Sequence, residues 1–220
     1  MLRRGGSGET MAESAVRFQE RIARRQVDKF AERRSELADA AIETLSERGY
    51  ARTSLREIAQ NSAFSHGVLH YYFADKADLI TFCVRRYKTQ CVRRYDEIMA
   101  RAAAPEELIR GYVAALAETL RTEAPMHRLW YDIRGQSMFE NQFRADVEDI
   151  DKSLENMMWR IMTRYAVLSH RRLVLSPAAV YAAFDGLFQH CLIRHLAGDT
   201  AAVGDLIADA GRLMPSLVTD

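Results

Sequence analysis

The chain has 220 residues, 48% of them hydrophobic, and its 31 Lys and Arg against 30 Asp and Glu leave a formal net charge of +1. That length suits one large domain or a small module joined to a larger one. No apolar run approaches the ~18 residues of a membrane span and no cleavable leader follows the N-terminus, which leads us to expect a cytoplasmic protein with no membrane partner.

Residues 1–12 (MLRRGGSGETMA) are Gly-rich and polar and read as a disordered tail. From Glu13 to Arg48 Ala, Glu and Arg dominate, and Leu37, Ala41, Ile42 and Leu45 fall on one face, which predicts a helix that Gly49 stops. Two short helices follow, Ser54 to Asn61 and His66 to Tyr72, and then a long one from Asp75 to about Ala103. The long helix carries Leu79, Phe82 or Cys83, Tyr87, Cys91, Tyr95 and Ile98 at steps of three and four, with Arg85, Arg86, Lys88, Arg93 and Arg94 on its other faces. Further helices are expected near 105–121, 126–138, 140–166, 177–197 and 200–213. The prolines at 105, 125, 177 and 215 sit where helices should begin or end. No segment alternates with period two for long enough to be a strand, so the fold class is all-α.

Charge is unevenly spread. Residues 1–101 hold 19 Lys and Arg against 14 Asp and Glu, and residues 102–220 hold 12 against 16, which makes the front half the candidate for a polyanion. The stretch from Thr53 to Ile80 is the most specific. Two helices joined by a short turn must pack together, here through Leu55, Ile58 and Ala59 against Val68, Leu69 and Phe73. Ser65 is placed as an N-cap, and Ser54 with Glu57 has capping-box spacing. With Leu69 and Phe73 inward, His66, Gly67, His70 and Tyr71 face outward on a helix short enough to enter a major groove end-on.

Thr53, the pair Ile58-Ala59, and the run Ser65-His66-Gly67-Val68-Leu69-His70-Tyr71-Tyr72-Phe73-Ala74-Asp75-Lys76 resemble the DNA-binding signature of the TetR family, over roughly residues 34–80. The resemblance implies an N-terminal three-helix helix-turn-helix DNA-binding domain (13–80) followed by a C-terminal helical domain for effector binding and dimerisation (81–220). It implies phosphate contacts by Thr53, Ser65, Tyr71 and Lys76, backbone contact by Tyr72, and base contacts by His66, Gly67 and His70. Ala63 stands at a turn position often held by Gly, where a left-handed backbone is expected to be strained. His66 and His70 replace a basic residue and a Tyr, which makes operator preference distinctive and affinity sensitive to pH. The basic stretch with Arg17, Arg21, Arg24, Arg25, Lys29, Arg33 and Arg34 reads as a solvated helix, or as an arm adding DNA contacts.

For the C-terminal half, residues 177–197 are apolar on more than one face, and with 200–213 they suit a helical interface with a second copy through Phe184, Leu187, Cys191, Val203, Leu206 and Ile207. Pocket candidates mix aromatic or Met side chains with polar anchors: His127, Trp130, Tyr131, Arg134, Phe139, Phe143, Trp159, Met162 and Phe188. The partners so implied are an operator duplex, a small-molecule effector and a second copy of the chain. No cofactor and no metal are expected. Cys83, Cys91 and Cys191 form no CxxC pair, and His66 with His70 lacks a third ligand in sequence. Fingerprints of di-iron, serine-hydrolase, phosphate-loop and dinucleotide enzymes are absent, so no catalysis is expected. The alternative to an effector-released repressor is a DNA-binding protein of the same fold acting through DNA organisation or a protein partner.

Overall fold

The computed structural model describes residues 11–220. Residues 1–10 of the expected tail lie outside the described residues, while Met11 and Ala12 already belong to α1 (Met11–Arg48). That helix is exposed along residues 24–32 and begins to bury its apolar face only at Leu37, Ala38, Ala41 and Leu45. Gly49 ends it at φ +77°, and a Cβ there would lie 3.0 Å from a carboxylate oxygen of Asp132, so glycine is required by both backbone and space.

The predicted helix-turn-helix forms as α2 (Leu55–Gln60) and α3 (His66–Tyr72). Ser54 and Glu57 make the reciprocal capping box, and the Ser65 hydroxyl accepts from the Val68 N–H. Leu55, Ile58, Leu69 and Phe73 are buried, with Ala59 and Val68 partly buried beside them. The strained turn expected at Ala63 does not occur: His170 is the one non-glycine with positive φ among the described residues. The turn closes instead through Ser62 N–H to the Ala59 carbonyl (3.3 Å) and Phe64 N–H to the Ser62 hydroxyl (3.3 Å).

Helix α4 (Lys76–Arg101), capped by Asp75, leaves this unit and enters the second. Leu79, Ile80, Cys83 and Val84 join one apolar cluster that reaches from Leu37 to Val218, so the core continues across the expected boundary at residue 80. Around α4 stand α5 (Pro105–Thr122), α6 (Ala124–Gln136), a 3-10 turn (Asn141–Phe143), α7 (Arg144–Ser169), α8 (Pro177–Leu196) and α9 (Ala202–Ser216). Helix α5 comes close to α4 because residue 111 is glycine; a Cβ would sit 2.8 Å from Ile98 Cγ2.

Two local features differ from expectation. Pro215 lies inside α9, in its last turn, where it removes the bond its own N–H would have given to the Gly211 carbonyl, one residue before the helix ends at Ser216. A two-residue antiparallel pair, β1 (Arg172–Leu173) with β2 (Val218–Thr219), staples the C-terminus beside the end of α7. Such short strands carry no periodicity to read.

Candidate nucleic-acid interface and interior cavity

Packing Leu69 and Phe73 inward turns His66, Gly67, His70 and Tyr71 to solvent, as the sequence predicts. The two imidazoles touch, Nε2 to Nε2 at 3.1 Å with rings edge-to-face at 4.4 Å, so one donates and the other accepts. Tyr72 is half-buried, with its ring 4.7 Å from Phe30 of α1. Phe30, which sequence reasoning passed over, thus braces α3 from outside. Lys76 is half-buried; its ammonium donates to the Tyr50 carbonyl at 2.8 Å and lies 3.9 Å from the Tyr50 ring centre. Thr53 is corrected: it is 4% exposed and its hydroxyl donates to the Gly49 carbonyl at 2.8 Å, so it locks the α1–α2 turn and does not face a phosphate.

On α1, Arg24, Arg25 and Lys29 are exposed, whereas Arg34 stacks on Phe73 and Phe82 and pairs with Asp78. Exposed Arg52 and Arg56 flank the start of α2 and add positive charge that the motif does not include.

The second feature is a cavity of about 70 Å³ among α4–α8. Of the expected pocket residues, His127, Trp130, Tyr131 and Phe188 line it. Arg134 sits outside the wall and pairs with Asp185 (2.5 Å) and Asp151 (3.0 Å). Phe139 is 82% exposed, because α6 stops at Gln136 and releases it from the helix face. Phe143 is buried against Tyr50, rings 5.0 Å apart, well away from the cavity. Leu154, Met157 and Met158 present the inner face of α7; Trp159 is rotated about 100° from Met158, and Met162 lies one turn further along in the core.

The residues expected at an association face divide between the interior and the surface. Phe184 lines the cavity, and Cys191 and Leu206 are buried in a satellite cluster with Leu120, Ala124, Phe188 and Leu192. Leu187, Val203 and Ile207 are half-buried. The outward side of α8 is instead Ala182, Gly186, Gln189, His190, Ile193 (63% exposed) and Leu196, beside Gly204 and Ala208 of α9.

Lys88, read in sequence as part of a basic outer face, is 5% exposed in the cavity wall, with Nζ 3.1 Å from His127 Nδ1. Burial draws its pKa down to about 8 against the opposing pull of Cys91, Asp185, Asp151 and Glu123. Burial, and then the charges of Lys88 and Arg94, holds the His127 pKa well below the ordinary histidine value. Burial raises the Cys91 thiol. Glu123 is committed to Arg94 (2.7 Å) and accepts from the Tyr87 hydroxyl. Donor atoms of Cys91, Glu123 and His127 lie within 4.8 Å of one another.

The His127 shift makes a stability prediction. An unfolded histidine takes up a proton near pH ~6.5 and the buried one does not, so the unfolded state binds more protons below that point. The stability is fully present above about pH 6.5 and is lost as pH falls, by up to about 1.4 kcal/mol per pH unit. Urea midpoints between pH 8 and 5 should therefore fall more steeply for the native chain than for His127→Leu; parallel curves would show that His127 is protonated in place.

Helix α6 connects the two features. Its Arg128 guanidinium donates to the Ser46 (2.5 Å) and Glu47 (2.7 Å) carbonyls at the end of α1, and Asp132 accepts from the Tyr50 N–H at 2.7 Å. The neighbouring His127, Trp130 and Tyr131 face the cavity.

Residues 37–81 match the profile of the "Bacterial regulatory proteins, tetR family". The chain is 32% identical over 115 residues to the HTH-type transcriptional regulator BetI of Paraburkholderia xenovorans, a match covering 51% of this chain and 58% of the relative. It thus spans less than two thirds of the curated relative's length. Its fold superposes on a TetR transcription regulator from Haloarcula marismortui with a TM-score of 0.71 at 16% identity, over 86% of this chain and 100% of the other. A protein from Saccharomonospora viridis solved in complex with choline gives a TM-score of 0.71 at 17% identity, over 86% and 99%. Among the described residues no helix is long and apolar enough to cross a membrane.

Proposed function

We propose that the chain, whose residues 37–81 match the tetR-family profile, is a dimeric, sequence-specific DNA-binding transcriptional regulator of that family. In this reading it is a repressor released from a palindromic operator when a small molecule fills the cavity. The observation that carries the reading is α3: a two-turn helix anchored by Leu69 and Phe73 that offers His66, Gly67, His70 and Tyr71 to a groove. Two copies joined through the outward faces of α8 and α9, where small residues permit close approach, would set two such helices about one helical turn, ~34 Å, apart. Tyr50, held by Asp132 of α6 and holding Lys76 of α4, supports a mechanical route from cavity to reading helix. The family of the chain and the choline held by a protein of similar fold favour an effector-responsive regulator over the effector-independent alternative.

Selection of bound sequences from a random duplex pool, followed by a salt titration on the best site, tests the reading. Recovery of a palindrome with half-sites one turn or slightly more apart is the expected result; binding without sequence preference would overturn it.

Gly67 offers a cleaner probe of docking. A Cβ at this position meets no atom within 4 Å, and alanine is the better helix former by ~1 kcal/mol, so Gly67→Ala should keep or raise thermal stability. On DNA the added methyl separates the backbone from the groove, and affinity should fall about tenfold, equivalent to ~1.4 kcal/mol. Unchanged affinity in a gel-shift titration would remove α3 from the contact surface.

A further inference from the structure

The proposed regulator needs an occupant for its cavity, and the wall specifies its charge. Lys88 is a buried ammonium whose one hydrogen-bond partner among the described residues is the His127 ring, and it makes no ion pair there. The nearby acids are taken: Asp185 by Arg134 and the Tyr131 hydroxyl, Asp151 by Arg134 and the Tyr181 hydroxyl, Glu123 by Arg94 and Tyr87. Buried charges are paired, and this one forms no ion pair among the described residues.

The proton positions follow from the same contact. An ammonium offers donors only, so His127 Nδ1 must accept, and the neutral ring carries its proton on Nε2. Among the described residues that Nε2–H has no acceptor, and neither has the indole N–H of Trp130; both residues are buried and line the cavity. The three residues that carry these donors all line the cavity, and among the described residues no acceptor answers the two N–H groups.

We propose that the cavity is an anion site that takes a small monocarboxylate, its carboxylate set against Lys88, His127 and Trp130 and its apolar body against Tyr112, Phe184 and Phe188. A carboxylate supplies the missing charge and enough lone pairs for all three donors. The cavity volume of about 70 Å³ is several times the roughly 10–15 Å³ that one water needs, which leaves room for a compact ligand. Apart from Thr119 and the Asp185 carboxylate, which Arg134 and Tyr131 hold, the remaining wall is mostly aromatic and aliphatic, which suits a compact hydrocarbon tail.

Two other occupants fit less well. The rings attract a quaternary ammonium such as choline, but Lys88 places a like charge inside the same space. Cys91, Glu123 and His127 are close enough to share a metal ion, but His127 Nδ1 is occupied by Lys88, and Lys88 and Arg94 set two positive charges beside the cluster.

The inference rests on the effector reading of the cavity, and a titration without DNA tests it separately. Calorimetry of the full chain at pH 7 with the straight-chain monocarboxylates from acetate to hexanoate, and with benzoate, is compared with their amides, with choline and with zinc ion. Saturable binding of mid-length carboxylates, with amides at least about tenfold weaker, is expected. Lys88→Met should weaken carboxylate binding about 100-fold and Trp130→Phe, which keeps the ring and loses the donor, about tenfold. If Lys88→Met fails to fold, Trp130→Phe and the carboxylate-to-amide ratio decide. Amides binding as tightly as carboxylates, preference for choline, zinc binding that carboxylates do not contest, or no binding by any probe each overturns the proposal. A carboxylate that binds yet leaves operator affinity unchanged upholds the ligand class and removes the effector role.

Discussion

Replacing Phe73 with alanine is expected to destabilise the chain by roughly 3–5 kcal/mol and to abolish operator binding at concentrations where the native chain saturates. Phe73 is 1% exposed and ends α3, its amide donating to the Leu69 carbonyl. Its ring meets Phe82 of α4 at 5.7 Å, and the guanidinium of Arg34 from α1 lies 4.7 Å from its centre. Three helices therefore converge on one side chain. The six residues of α2 and seven of α3 are far below the ~12–15 that hold a helix in isolation, so their geometry depends on this tertiary anchor. The deletion also strips Arg34 of one of its two aromatic neighbours, leaving its charge on Phe82 and Asp78 alone. Phe73→Leu, which nearly conserves volume, should cost under ~1.5 kcal/mol and retain DNA binding. Urea unfolding followed by circular dichroism reads the first effect, and a loss below 1 kcal/mol for the alanine variant would show that α3 is held from elsewhere.

The same dependence on tertiary context explains which features could be read in advance. Helix positions, the capping box at Ser54, the N-cap at Ser65 and the inward pair Leu69 and Phe73 are local matters of period and spacing, and the structure places them within a few residues of expectation. Thr53 was misread because one hydroxyl suits either a phosphate or a turn, and only the position of the Gly49 carbonyl decides. Phe139, Phe143, Trp159 and Met162 failed as pocket residues because lining a cavity requires the rotation and end point of each helix, which composition does not contain. Phe184, Cys191 and Leu206, expected at an association face from their apolar character alone, turn toward the chain's own core.

Lys88 is the instructive miss. It stands in a run with Arg85 and Arg86, which reads as a solvated face, yet Lys88, Cys91 and Tyr95 follow the i, i+3, i+7 rule of a single helix side. The apolar stripe therefore already contained the charge, and a lysine on a stripe that meets protein along most of its length is a signal for a site.

Arg128 of α6 ties the cavity wall to the end of α1, and Arg128→Met is expected to leave DNA binding and ligand binding working while weakening the connection between them. Its guanidinium donates to two carbonyls at the C-terminus of α1, where unsatisfied oxygens and the helix dipole favour a cation. One residue before it, His127 faces the cavity, and one turn after it Asp132 holds the Tyr50 N–H. A ligand that moves α6 thus acts on the end of α1 and, through Tyr50, on Lys76 at the start of α4. Couplings of this kind are typically about 5- to 150-fold in affinity. We expect the tightest carboxylate of the titration to weaken operator binding by about 100-fold in the native chain and by less than about tenfold in Arg128→Met. Operator affinity without ligand and carboxylate affinity without DNA should each stay within a few-fold of native. Linkage supplies an internal check, since the operator must weaken carboxylate binding by the same factor that the carboxylate weakens operator binding. Full coupling in the variant would assign the connection to α4 alone, which enters the cavity through Lys88, Cys91 and Tyr95 and begins beside the reading helix at Lys76.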